Sequence, residues 1–515
     1  MGRPLHEINM LAFVVSLFQS APRSKSIAVS IRTVLMNYIY FVAVIGNRLV
    51  ALACVLALSY LLPSHGFGVY AVAAANALVI QILLASWLSS SANRLLARSD
   101  GDPRITLSTI AIGMVGVGGV LALVALGYAL MPFMEAAPLQ VALVLAWSAT
   151  LMVYDVTLAG KNALGRAGSY ASLAIARNVL ALAASVALVA AGYGPTGAIV
   201  GQLIGNVLPV MLLPASRRIW GQVEVAAISL PTLRDCLSFG TAGTFALGQY
   251  MLVNAASRNL VALTIGEAAA GQWALALDIF YGPLALVGTA YTLSNMRDLY
   301  AGHGQTPEAA RRAAMGKFIV VNLYFAIPYA VGGALLAPAL AGLLFAEQSL
   351  PGILPIVRGA TVQGAAMLAL YGLTTVLLAI DRRVFLIVSV IGATVLVGGA
   401  TAAAWWQGGD LRTMMWWATI ALAMTVVLSL GYAAIRRYIT LDLAAIARIG
   451  AASLAMGLTI LGFQTIDRAG LALPLVMGIL CYAVLTVAFK LIDLRDFISP
   501  ESSLYRKLPF LGGAR

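Results

Sequence analysis

The sequence predicts an all-α polytopic membrane protein, with fourteen transmembrane helices arranged as two pseudo-symmetric six-helix lobes plus two C-terminal helices. Three observations predict it. The 515 residues are 61% hydrophobic and 10% charged, with a mean hydropathy of +0.93, more apolar surface than a water-facing core can hide. Apolar runs of about 20 residues recur along the whole length, and continuous runs select helices rather than a barrel. Basic residues change sides loop by loop, which tests the count.

The elements follow in order. Residues 1–39 form a cytoplasmic N-terminal segment. Its apolar run 8–18 reads as an interfacial helix and not as a signal peptide, because Glu7 leads it and no small-residue cleavage site follows. The first lobe, 40–214, holds spans 40–62, 69–91, 105–131, 138–160, 169–191 and 195–214. Span two is unusually polar, with Asn76, Gln81, Ser86 and Ser89-Ser90-Ser91, so it is expected to be flanked by protein. A polar linker, 215–236, precedes the second lobe, 237–435, with spans 237–263, 271–295, 318–344, 354–380, 384–406 and 413–435. Pro283 predicts a kink in span eight. Residues 436–490 carry the last two spans, 449–465 and 471–489, and 491–515 form a cytoplasmic tail.

Charge supports this count. Of the 32 Lys and Arg, only Arg412 and Arg468 fall in loops on the external side, and Arg48, Arg177, Arg258 and Arg358 fall within spans. All others lie in the N-terminus, the alternate loops or the tail, so both termini are expected in the cytoplasm. The halves also echo each other. Gly68-Val69-Tyr70-Ala71 leading to Asn93-Arg94 matches Gly271-Gln272-Trp273-Ala274 leading to Met296-Arg297 at a constant shift of 203 residues. Repeats of this kind place a site between halves.

Several chemistries lack their residues. Gly316-Lys317 has no glycine five positions earlier, so there is no P-loop. Asp100-Gly101-Asp102 reads as a solvated turn. His6, His65 and His303 lie on separate loops, and no metal site or cofactor is expected. Cys54, Cys236 and Cys481 are too few and too scattered for a disulfide framework. A basic balance in such a chain concerns membrane sidedness, not nucleic acid.

The candidate site residues are the ions inside spans. Arg48 and Arg177 sit about eight residues, roughly 12 Å, from the cytoplasmic ends, too deep to snorkel easily, so a cavity or a carboxylate partner is implied. Asp155 is the available partner. Arg258 and Arg358 lie nearer the external ends, where snorkelling is feasible, and Asp278 is placed to pair with either. One helical stripe joins Gly240, Thr244, Leu247, Met251, Asn254 and Arg258, and another Asp278, Gly282, Ala285, Thr289 and Thr292. Small residues at that period also occur in plain helix contacts. The substrate-binding set expected is Arg48, Arg177, Arg258, Arg358 and Asn254, with Asp155 and Asp278 as coupling or salt-bridge residues. Guanidinium forks favour a phosphate-bearing or other acidic substrate.

Pro63-x-x-Gly66-x-Gly68-x-Tyr70, its weaker echo Gly266-Glu267-x-x-x-Gly271-x-Trp273, the basic end Asn93-Arg94-Leu95-Leu96 and the six-plus-six layout resemble polysaccharide-type flippases of the multidrug/oligosaccharidyl-lipid/polysaccharide (MOP) exporter superfamily. The resemblance covers the twelve core spans, and its motifs are mostly Gly and aromatic spacings. It implies alternating access between six-helix lobes in the bacterial inner membrane. The substrate it implies is an undecaprenyl-pyrophosphate-linked oligosaccharide repeat unit, moved outward. Cationic residues of the first and seventh helices then line the cavity, offered here by Arg48 and Arg258. Implied partners are this lipid-linked substrate, membrane lipids, and polysaccharide polymerase and chain-length machinery. Two extra C-terminal helices also occur in peptidoglycan-precursor flippases, but the dense arginine set of that group is missing from spans one and two. A drug/cation antiporter would use Asp155 and Asp278 as cation sites. A polysaccharide polymerase or ligase fits less well, because every external loop is short.

Overall fold

The computed structural model describes residues 45–96, 102–130, 138–301, 307–345, 347–464 and 470–491, and the regular elements among them are all helical. The helices are α1 (Ile45–Leu61), α2 (Ser64–Leu95), α3 (Pro103–Ala129), α4 (Pro138–Ala163), α5 (Ala167–Leu188), α6 (Gly194–Leu212), α7 (Leu230–Thr264) and α8 (Glu267–Ala301). There follow α9 (Glu308–Leu344), α10 (Val357–Ala379), α11 (Arg383–Trp406), α12 (Leu411–Ile435), α13 (Leu443–Gln464) and α14 (Ala472–Ala488). Nine segments of the described residues are long and apolar enough to cross a membrane, and α1 and α14 are shorter apolar helices. This is a multi-pass helical membrane protein. The expected interfacial helix at 8–18 and the tail lie outside the described residues.

Several helices outrun their apolar stretches. α2 starts at Ser64, α7 at Leu230 and α9 at Glu308, because hydropathy marks only the part at lipid depth while backbone hydrogen bonding continues into polar sequence. The expected linker therefore shortens. It contains a short helix, Pro214–Trp220, and ends where the Ser229 hydroxyl caps α7 by accepting from the Thr232 N–H at 3.3 Å. Cys236 consequently lies inside α7, buried. A π-turn, Val189–Tyr193, joins α5 to α6 and holds Gly192 at φ 92°, a left-handed geometry that glycine adopts without penalty. The two helices then pack antiparallel, Gly201 against Ser185 and Gly205 against Ala181. α8 runs as one helix through Pro283. The irregular turn falls in α9, at Tyr329–Gly333 just after Pro328. The Tyr329 hydroxyl donates to the Phe280 carbonyl, in the α8 turn where Pro283 removes a backbone donor.

Helix α2 is the hub, packed against α4, α7 and α8, which accounts for its polarity. Asn76 and Asn259 of α7 exchange amide hydrogen bonds at 3.1 and 2.7 Å. Ser86 donates to Thr244 at 2.8 Å, and Ser91 to the Cys236 carbonyl at 3.0 Å. Gln81 donates to Asp155 of α4 at 2.9 Å. Glycine permits the contact. A Cβ on Gly240 would lie 2.4 Å from the Trp87 Cβ, and one on Gly68 only 1.8 Å from the Glu267 carbonyl oxygen. Gly271 faces Gly68 across the same junction. These two glycines correspond in the sequence repeat, and self-meeting of equivalent positions is what a twofold axis through that point produces.

Candidate functional site

Beside this junction lies a cavity of about 250 Å³, lined by residues of α1, α2 and α4 to α8. Arg48, Arg177, Arg258, Asn254 and Asp278 all border it. From α7, Arg258 ion-pairs with Asp278 of α8 and donates through Nε to the Asn254 Oδ1 at 2.8 Å. The Tyr250 hydroxyl also donates to Asp278, at 3.1 Å, while its ring stacks on Tyr281 at 4.0 Å. Arg258 is 5% exposed, so snorkelling to a surface does not describe it; its charge is answered inside the protein.

Arg177 is satisfied differently. Its Nε donates to Asn206 at 2.9 Å, its NH1 group to Asn178 at 2.6 Å, and its guanidinium lies 5.4 Å from the Tyr154 ring centroid. Asn178 is held in turn by donating to the Asn47 carbonyl at 2.9 Å and side chain at 2.6 Å. Arg48 borders the cavity from α1, and the described residues give it no hydrogen-bond or ion-pair partner. Among the described residues neither Arg48 nor Arg177 makes an ion pair, and Asp278 is the single acid in the lining. The site carries a formal excess of positive charge, which favours an anion.

Two expected members are not brought here. Asp155, expected as the partner of Arg48 or Arg177, accepts from Gln81 at 2.9 Å and stays within electrostatic reach of Arg177, whose direct hydrogen bonds go to Asn178 and Asn206. Arg358 is the second residue of α10, exposed, and outside the lining. Its exposure fits the snorkelling alternative that its place near the end of the span left open. The α7 stripe divides: Gly240 and Thr244 serve the α2 contact, whereas Met251, Asn254 and Arg258 line the cavity.

Sequence reading missed Asn178, Asn206 and Gln202, and the aromatic wall of Tyr70, stacked 5.9 Å from Trp147, with Tyr250. A usable signal existed for the amides. Asn178 adjoins Arg177, and Gln202 and Asn206 lie one helical turn apart within an apolar span.

No family model and no curated protein sequence matches the chain. Solved structures do. The lipid II flippase MurJ, in an inward closed conformation, aligns with a TM-score of 0.66 at 14% identity, over 92% of this chain and 100% of that one. An inward-facing multidrug resistance MATE family transporter of the MOP superfamily aligns with a TM-score of 0.57 at 16% identity, over 76% and 94%. A MOP superfamily transporter from Pyrococcus furiosus, described by a binding pocket of reverse polarity, aligns with a TM-score of 0.54 at 14% identity, over 79% and 95%. The chain thus shares the fold of these transporters.

Proposed function

We propose that this protein is a transporter of the MOP superfamily that flips an undecaprenyl-pyrophosphate-linked oligosaccharide repeat unit, of the exopolysaccharide or O-antigen type, across the bacterial inner membrane. The carrying observation is the cavity's charge, three arginines against one carboxylate that is already paired. A pyrophosphate offers oxygens on both phosphates and matches guanidinium forks. Arg48 and Arg177 are the first contacts in this reading, and Arg258, released from Asp278, the next. Fourteen spans, two six-helix lobes meeting at Gly68 and Gly271, and both termini in the cytoplasm complete it. Alternating access proceeds by the lobes parting at that junction, and polymerase and chain-length machinery use the product.

A peptidoglycan-precursor flippase is the second reading, favoured by the MurJ alignment extending over 92% of the chain. Both readings share the pyrophosphate-linked, lipid-anchored glycan. A drug/cation antiporter is less favoured, since Asp278 is neutralised by Arg258 and Asp155 does not border the cavity. The test is complementation of a deletion strain with Arg48→Ala and Arg177→Ala at matched membrane levels. Loss of surface polysaccharide with normal growth supports the repeat-unit substrate, and loss of viability with swollen cells supports the peptidoglycan precursor. Normal polymer and normal growth from both variants overturn the assignment of the cavity.

A further inference from the structure

A second cavity, about 700 Å³, opens among the α7–α8 turn, the segment leading into α10 and the α11–α12 turn. Its chemistry differs from that of the central one. Trp405, Gly408 and Gly409 border it, and Gln272, Asp410 and Arg412 bring polar groups. One carboxylate and one guanidinium balance, so the cavity has no net preference for an ion.

Each group is placed by its surroundings. Trp405 is 44% exposed and borders the cavity, whereas its neighbour Trp406 is 85% exposed and does not. An interfacial belt accounts for Trp406, but Trp405 faces the polar pocket. Gly408 has φ 76° and open space where a Cβ would stand, a left-handed turn that glycine adopts without penalty. The Gln272 amide lies against Gly352, where a Cβ would sit 2.1 Å from Nε2; the described residues give this amide no hydrogen-bond partner. Asp410 Oδ1 is fixed by the Thr413 N–H at 2.9 Å and hydroxyl at 2.7 Å, which leaves Oδ2 to accept. Acceptor, amide and guanidinium donors beside an aromatic face form a site for a ligand that is apolar on one face and hydroxylated at its rim.

We propose that this cavity binds a neutral saccharide, with a C–H face on Trp405 and hydroxyls on Gln272, Asp410 and Arg412. Only the origin of that saccharide rests on the flippase reading. Gln272 precedes Asp278 by six residues and Thr264 follows Arg258 by six, so the cavity lies about 9 Å further along the two helices that carry the charged pair. The six-residue offset also turns it to a different face, so it is a separate subsite and not an extension of the charged cavity.

The test uses saturation-transfer NMR on full-length protein in nanodiscs with a panel of neutral hexose oligosaccharides, and maltotriose as the reference probe. Wild type and Arg48→Ala should give the same transfer. Trp405→Ala and Gln272→Ala, each with an unchanged thermal melt, should bind about tenfold more weakly, through loss of the stacking face in the first and of an amide hydrogen bond in the second. No transfer from any oligosaccharide, or equal transfer in Trp405→Ala, overturns the proposal. The source is resolved in cells: reduced surface polysaccharide in Trp405→Ala assigns the saccharide to the lipid-linked cargo, and unchanged polymer with lost binding assigns it to a free glycan. Normal polymer and normal growth from both Arg48→Ala and Arg177→Ala would overturn the flippase reading while leaving this site to stand on its own binding data.

Discussion

Replacing Asp278 by Ala removes the only acid of the charged cavity and strands two groups that it satisfies, the Arg258 guanidinium and the Tyr250 hydroxyl. Burial sets the magnitude. The Arg258 side chain is 6% exposed and that of Asp278 30%, so the pair is dry at the arginine and wetted at the carboxylate. Removing one partner of a fully buried pair costs about 3 to 5 kcal/mol, and the cavity-facing acid lowers this to about 2 to 3 kcal/mol. Arg258→Ala should cost less, because Asp278 keeps Tyr250 and cavity water. The double variant leaves neither charge stranded, so a double-mutant cycle should return a coupling of about 2 kcal/mol. Reversible unfolding of purified protein in mixed micelles reads it. Single-variant effects that add to within about 0.5 kcal/mol would refute the pairing.

Further outcomes follow from other contacts. Gly68→Leu places a side chain into the Glu267 backbone and should cost about 1 to 3 kcal/mol in this packing; cross-linking between His65→Cys and Glu267→Cys, whose native side chains lie 3.4 Å apart, should fall in that background, and an unchanged yield contradicts the junction. The Thr413 N–H, then its hydroxyl, hold the Asp410 carboxyl below its ordinary value of 3.8. A depressed folded pKa stabilises above that ordinary value and the effect is lost as pH falls through the folded pKa. Asp410→Ala should therefore lower stability by about 1 kcal/mol at neutral pH, with the difference from wild type vanishing in strong acid; a difference independent of pH contradicts the cap. Cysteines at 65 and 267 should react with an impermeant maleimide in whole cells and one at 217 only after permeabilisation, and the reverse pattern contradicts the proposed sidedness.

The helices were legible because lipid demands continuous apolar runs, and that demand is written locally in the sequence. Their ends were less so. α7 begins at Leu230 and α9 at Glu308, in polar sequence that hydropathy assigns to loops although hydrogen bonding carries the helix through. The cavity arginines were legible for the same reason that they are costly: a charge within an apolar span stands out. Which partner answers each charge was legible only in part: Asp278 was placed to pair with Arg258 or Arg358, and the choice is made between helices. Arg258 finds Asp278 across α7 and α8, Arg177 finds Asn206 of α6, and Asp155 is taken by Gln81 of α2. Arg358 stands exposed at a helix start, as its place near the end of an apolar run allowed, and that same place keeps it from the cavity lining. The repeat was legible as a shift of 203 residues, but only the packing shows that Gly68 and Gly271 meet.

The central claim is that the cavity recognises a lipid-linked pyrophosphate through Arg48 and Arg177. Native mass spectrometry of the detergent-solubilised protein, with a short-chain polyprenyl pyrophosphate set against the uncharged polyprenol of the same length, tests it most directly. Binding should favour the pyrophosphate, and Arg48→Ala and Arg177→Ala should each weaken it about tenfold or more while leaving the polyprenol unaffected. Equal binding of the two lipids, or pyrophosphate binding unchanged in both variants, would contradict it.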